Sequence, residues 1–211
     1  MRRLRSAVTV ALAASVCLLV ATGCNRAGAR IPYASGSFQA ARTAYVAKST
    51  ASRAVRVAAP VDVREVHYGE PVAGTKWKAC STDPFVGTSA AEILATELER
   101  EIASSGIFRA VGPQGGSEEL VLETEIRAMC AQAVGFIYLR VAGITSLHFT
   151  LKDGEVVLFD RTIERVVTDL DPEYTGGSVG FIEQIMKVLI SDSLREVLRE
   201  LMPALDQVEN M

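Results

Sequence analysis

Four thiols and two imidazoles set the reactive chemistry open to this chain. Cysteines stand at 17, 24, 80 and 130, and histidines at 67 and 148. There is no CxxC pair and no cysteine–histidine set at metal-ligand spacing. His67 and His148 have no serine, cysteine or carboxylate at the spacing of a catalytic motif, so neither is read as an acid–base group. Gly177-Ser178-Val179-Gly180 lacks the spacing of a nucleophile elbow, and no strand leads into it. Ser178 reads instead as a helix cap. Glu123 and Glu125 alternate along one stretch, the pattern of a solvated strand face. Asp169, Asp171 and Glu173 do not follow the calcium-loop pattern. Gly112-Pro113-Gln114-Gly115-Gly116 lacks the spacing of a phosphate loop. The expectation is a protein that is not an enzyme, with no catalytic residue, metal or cofactor.

Cys24 belongs to a different kind of chemistry. Arg2, Arg3 and Arg5 open the chain, and residues 7–21 then carry no charge. As a helix that run spans about 22 Å at 1.5 Å per residue, short of the roughly 30 Å hydrocarbon core. A basic start, a short apolar run and small residues before a cut describe a signal peptide. The segment Leu18-Leu19-Val20-Ala21-Thr22-Gly23-Cys24 resembles the lipobox of bacterial lipoproteins. Thr22, Gly23 and Cys24 fit that pattern; Ala21 departs from its preferred leucine. The resemblance implies a diacylglyceryl group on the Cys24 sulfur and cleavage before it. It also implies an acylated amine, and several acyl chains hold a protein where one binds marginally. Asn25 is not the aspartate that retains lipoproteins in the inner membrane. The expected location is therefore the periplasm-facing side of the outer membrane. The alternatives are ordinary secretion, with Cys24 incidental, and a retained membrane helix.

Processing at that point leaves residues 24–211, enough for one domain and a tether. Without the three leading arginines, 19 basic residues face 25 acidic ones, a net charge of −6. No basic cluster remains, which argues against nucleic acid. Cys80 and Cys130 are the thiols left to an exported domain. They are expected to form a disulfide, the alternative being two separate buried thiols.

The elements that must position these groups follow from periodicity. Residues 1–23 read as the signal peptide, and 24–52 as the lipidated cysteine with a tether rich in Ala, Ser, Gly and Arg. Tyr33, Phe38 and Tyr45 offer the tether a way to dock on the domain. Residues 53–205 read as the periplasmic domain and 206–211 as a tail. Val55, Val57, Ala59, Val61 and Val63 alternate with polar residues as a strand, with Pro60 marking an edge, bulge or break. Residues 67–87 form a long loop carrying Trp77 and Cys80; Trp77 either packs on the core or contacts a partner. Ser89 and Glu92 make a capping box for a helix over 90–105, stopped by Gly106. Its apolar face is Ala90, Ile93, Leu94, Leu98 and Ile102, with Glu97, Arg100 and Glu101 facing out.

Leu120, Leu122, Thr124, Ile126, Ala128 and Cys130 share one face of a second strand. Leu139, Val141, Thr145, Leu147, Phe149 and Leu151 share that of a third, with a bulge near Gly143. Asp153-Gly154 turns into a fourth strand. A last helix runs from Ser178 to Met202, stopped by Pro203. The fold class expected is α+β, an antiparallel sheet of about four strands with two helices on one face, in the order β-α-β-β-β-α.

This order resembles the ABC-type transport auxiliary lipoproteins and the YajG-like lipoproteins. The stretches that carry the resemblance are 95–108, 120–126 and 151–158. The lipopolysaccharide-assembly lipoprotein and penicillin-binding-protein activator lipoproteins have similar layouts. The resemblance implies a non-catalytic accessory protein, moored to the membrane by lipid and docked on an envelope protein complex for transport or assembly. The alternative is a module carrying a lipid or small apolar ligand between helices and sheet.

Overall fold

Alternating apolar residues between 119 and 169 build the longest strands of the chain. They are seen in a computed structural model describing residues 31–32, 43–48, 52–81, 85–112, 119–134, 140–169 and 179–209. In order the elements are β1 (Ile31–Pro32), β2 (Ala54–Val57), β3 (Val61–Asp62), β4 (Phe85–Val86) and α1 (Ala90–Ser105). There follow β5 (Ala110–Val111), β6 (Glu119–Val134), β7 (Arg140–Asp153), β8 (Val156–Asp169) and α2 (Val179–Glu209). The small strands β1 and β4 pair in parallel, apart from the main sheet.

The main sheet corrects the expected four-stranded antiparallel one. It has six strands in the order β5-β2-β6-β7-β8, with β3 also paired to β6. β2 runs parallel to both β5 and β6, so the sheet is mixed. The reason lies in the connection. A chain leaving β2 through a helix returns in the same direction, so α1 makes β2 and β5 a parallel pair. The stretch read as one strand over Val55–Val63 is two, because Pro60 brings no N–H to the ladder. Pairing passes from Val57 opposite Leu122 to Val61 opposite Glu125, four residues against three.

β6, β7 and β8 form an antiparallel meander, with the tight turn at Gly154 (φ 56°). Leu120, Leu122 and Ile126 are buried with Leu147, Phe149 and Leu151 against the helices. The alternation then breaks. The register shifts between Ile126 and Ala128, with Arg127 the extra residue. One inserted residue moves every later side chain to the opposite face. Met129 and Ala131 therefore join the helix side, while Ala128 and Cys130 turn to the other. No shift occurs at Gly143, which pairs regularly with Ala131 and Val167.

Two helices flank the sheet, and their buried residues make one cluster with it. α1 is closed by the expected capping box: Ser89 Oγ accepts from Glu92 N, and Ser89 N donates to the Glu92 carboxylate. The Ser89 N–H first, then the Thr88 hydroxyl at 2.8 Å, hold the Glu92 carboxyl below its ordinary value. Gly106 ends the helix at φ 71°. Glu97 and Glu101 do not face out; they are 4% and 3% exposed. Glu97 pairs with Arg100, and Glu101 accepts the Thr43 backbone N–H at 2.8 Å.

α2 does not stop at Pro203 but continues through it to Glu209. Its 31 residues span about 46 Å at 1.5 Å per residue, which matches the 14-residue strands β7 and β8 at about 3.4 Å per residue. Burial of Leu205 and Asp206 beyond the proline holds the last turns down. Residues 206–209, expected in a tail, are thus helical. Part of the expected tether also docks here. Tyr45 Oη donates to Asp206 at 2.6 Å and Ala47 N to the Ser105 carbonyl at 2.8 Å, so residues 43–48 strap α1 to α2.

Candidate functional site

The side of the sheet away from the helices carries Glu123, Glu125, Arg127, Ser146, His148, Thr150 and Glu164. The bulge at Arg127 and the loop over residues 64–80 divide it in two.

At one end the loop covers the sheet. Its backbone folds back on itself, with Val72 N bonded to the Trp77 carbonyl and Ala79 N to that of Glu70. Ala73 (φ 51°) and Gly74 (φ 65°) make the turn. Cys80 and Cys130 are joined in a disulfide, with their Cα atoms 6.4 Å apart. Cys130 reaches the loop because the bulge turned it away from the helices. Trp77 is 6% exposed and packs with Val72, Ala79, Cys80, Ala128, Cys130, Ala142 and Ile144. The structure therefore places Trp77 in a small second core, not on the surface as a candidate partner contact. The exposed apolar residues of this loop are Val66 (76%) and Tyr68 (66%). The sequence reading passed over both, although each lies beside His67.

A cavity of about 70 Å³ under the loop is lined by His67, Glu70, Arg127, Ser146 and Glu164, among others. Ser146 Oγ donates to Glu164 at 2.9 Å, and the other Glu164 oxygen accepts the Ala73 N–H. His67 Nδ1 lies 2.8 Å from Glu70. The serine proton is thus directed at a carboxylate, and the histidine is engaged elsewhere. That geometry makes no serine–histidine relay.

At the other end the sheet face is open. His148 stands opposite Glu125, and Thr150 opposite Glu123. His148 Nδ1 is 3.1 Å from Thr162 Oγ1, and its Nε2 is 3.6 Å from Asp160. Arg127 donates to Thr162 and Glu125 at 3.1 and 3.2 Å, and Lys152 donates to Glu123 at 2.7 Å. A second cavity of about 250 Å³ lies where Pro60 interrupts the pairing. Its walls are Ala58, Ala59, Val61, Glu123, Thr124, Glu125, His148 and Thr150. At its edge Arg64, itself buried, grips Asp62 through Nε and Nη2 at 2.9 and 2.6 Å. Those bonds hold the Asp62 carboxyl below its ordinary value against the opposing effect of burial.

The structure therefore brings Glu123, Glu125 and His148 together and keeps His67 with the loop. The sequence signal for the open cavity was Pro60 within an alternating stretch. Among the described residues no group of three or more His, Cys, Asp or Glu is placed to hold a metal. No helix among them is long and apolar enough to cross a membrane. Cys24, Ser178, Asp171 and Glu173 lie outside the described residues.

No family model matches the chain, and no curated protein matches it in sequence. Solved structures give distant likenesses to small bacterial proteins. One from Xanthomonas campestris is 13% identical, with a TM-score of 0.46, over 86% of this chain and 94% of that one. A minor lipoprotein from Acinetobacter baumannii is 12% identical, TM-score 0.41, over 72% and 91%. A hypothetical protein from Chlamydia trachomatis is 12% identical, TM-score 0.42, over 76% and 97%. At these identities, with TM-scores below 0.5, the likenesses assign neither family nor activity.

Proposed function

We propose that this chain is a lipid-anchored, non-enzymatic accessory protein of the bacterial envelope, one that offers its open sheet face to an envelope complex for transport or assembly. The observation that carries the reading is the Cys80–Cys130 disulfide downstream of Thr22-Gly23-Cys24. A disulfide that closes a loop onto a sheet belongs to an oxidising compartment, and the lipobox gives the route there and the mooring. The arrangement of the polar groups supports the non-enzymatic part. His67 is paired with Glu70, and His148 with Thr162 and Asp160; no serine or cysteine is hydrogen-bonded to either imidazole among the described residues. Among the described residues, Leu94, Leu98, Phe149, Ile190 and Leu198 pack together between helices and sheet.

The test is palmitate labelling and fractionation of the full chain beside Cys24→Ser. Labelled, membrane-bound protein that becomes unlabelled and soluble on substitution is the expected result. Unchanged labelling, or wild-type protein that washes free of membranes, overturns the anchor. In-cell crosslinking from Tyr68 and Ala59 that returns no envelope protein overturns the accessory role.

A further inference from the structure

Residues 43–48 are the stretch of the expected tether that lies on both helices. They alternate: Thr43, Tyr45 and Ala47 are half-buried, and Ala44, Val46 and Lys48 are exposed. Tyr45 and Ala47 reach the edge of the core, but most of the hold is polar. Thr43 gives both its N–H and its hydroxyl to Glu101. Tyr45 Oη and the Lys48 N–H both reach Asp206, at 2.6 and 3.3 Å, and Ala47 N donates to Ser105 O at 2.8 Å. The two carboxylates sit on different helices, Glu101 on α1 and Asp206 on α2, so this one short segment bridges them.

The backbone between these holds is strained. Ala44 sits at φ 56°, the left-handed region where the Cβ of an L residue crowds the following carbonyl. Such strain persists only where the surroundings impose it, and it gathers in segments that switch. Undocking relaxes Ala44 and lets water reach Glu101 and Asp206, which offsets part of the loss of the hydrogen bonds. A segment with little apolar burial opens without the rest of the fold. β1 adds a smaller hold nearer the N-terminus: it pairs with β4 and runs beside α2. Two paired residues are not stable by themselves, so β1 follows once residues 43–48 let go.

These holds lie between the domain and Cys24, so they set the length of free chain. With both made, residues 24–31 allow a reach of at most about 25 Å; with both released, residues 24–52 allow about 100 Å. We infer that residues 43–48 are a releasable strap that governs how the domain stands on its membrane. Docked, the strap draws the helix side toward the bilayer and leaves the open sheet face outward. Released, it lets the domain turn and swing away on the full tether. The inference rests on the lipid anchor proposed above, but the opening of the strap is a property of the domain and is measured without a membrane.

The first measurement is amide hydrogen exchange by NMR on full-length protein in detergent. Thr43, Ala47 and Lys48 should open together, more often than the amides of β6 and β7 and far less often than free chain. Ala44→Gly relieves the strain and keeps every bond of the strap, so it should slow their exchange roughly twofold to fivefold. Thr43→Ala with Tyr45→Phe should hasten it at least fivefold. Exchange of these amides only with global unfolding, no protection at all, or no slowing in Ala44→Gly overturns the inference. The second uses lipidated protein in vesicles of phosphatidylethanolamine and phosphatidylglycerol, with a benzophenone photocrosslinker at Val188 on α2 or at Val61 on β3, both exposed. Val61 stands opposite Glu125, on the open face. Lipid adducts should form several-fold more from Val188 than from Val61 in wild type and in Ala44→Gly, and the two yields should converge in Thr43→Ala with Tyr45→Phe. Equal yields in wild type, no adduct from Val188, or a ratio unchanged in the double variant overturns the inference. Protein that does not stay on the vesicles sinks the anchor, and this role with it, even where the exchange results hold.

Discussion

Gly143 on β7 lies against the backbone of Leu189 on α2. A Cβ built on the glycine would overlap the Leu189 carbonyl and stand 2.7 Å from Ile190 N. The helix can approach the sheet this closely because the strand has no side chain at that point. Nearby, Thr145 and Ser193 share a buried hydrogen bond of 2.7 Å across the same interface.

Gly143→Ala is therefore expected to push α2 off the sheet. A clash with backbone cannot be relieved by a rotamer change, so the cost should be about 1–3 kcal/mol. Urea unfolding checks it. A midpoint within error of wild type would show that the helix is free to shift.

Breaking the strap should weaken the junction of the two helices. Tyr45→Phe removes the donor to Asp206, which is buried and also accepts the Lys48 N–H at 3.3 Å. A hydrogen bond to a charged group is worth about 1.5–3 kcal/mol; with the phenol half-buried, the lower end of that range applies. The pH dependence has a definite sign. Burial first, then the Asp206 carboxylate, pushes the Tyr45 pKa up from 10.0 to about 12. The contribution is whole below pH 10 and is lost as pH rises from 10 towards 12. Amide exchange at Ala47, bonded to Ser105 O, should rise more steeply over that range in wild type than in Tyr45→Phe.

Reduction should free the loop before it unfolds the sheet. The disulfide spans 50 residues, and closing a loop of that length restricts the unfolded chain by about 4 kcal/mol in the chain-entropy account. Cys80→Ser with Cys130→Ser should lower stability by up to that amount. It should also raise Trp77 fluorescence quenching by iodide, since Trp77 packs against the bridged pair. An unchanged quenching constant would mean that the loop holds itself down.

Asp62→Asn should cost about 1–3 kcal/mol, because it leaves the buried Arg64 guanidinium with a poorer partner. The exposed Arg199–Glu196 pair is the contrast, worth at most about 1 kcal/mol. The Asp62 pKa is lowered in the folded state. Its stabilisation is thus present above the ordinary aspartate range and lost as pH falls through the lowered value. The difference between wild type and variant in thermal midpoint should shrink accordingly in acid.

Local sequence determined the local elements. Ser89, Glu92 and Gly106 set the ends of α1, and alternation over 119–169 set the three long strands, because capping and period-two burial depend on residues close in the chain. Pro60 announced a break, since a missing N–H is a property of one residue. Tertiary structure decided what no single stretch contains. The parallel neighbours of β2 follow from the route of the chain through α1. The extra residue at Arg127 sent Cys130 and Ala128 to the loop side, and alternation alone cannot register a one-residue slip. Glu97 and Glu101 look solvated in a helical pattern, yet they are buried because Arg100 and the strap at Thr43 satisfy them. Pro203 looks like a stop, yet α2 crosses it because Leu205 and Asp206 are held by partners far away in sequence. Even the open cavity needed both levels: the proline that interrupts the ladder is written in the chain, but the carboxylates and histidine around it meet only when β3, β6 and β7 lie side by side.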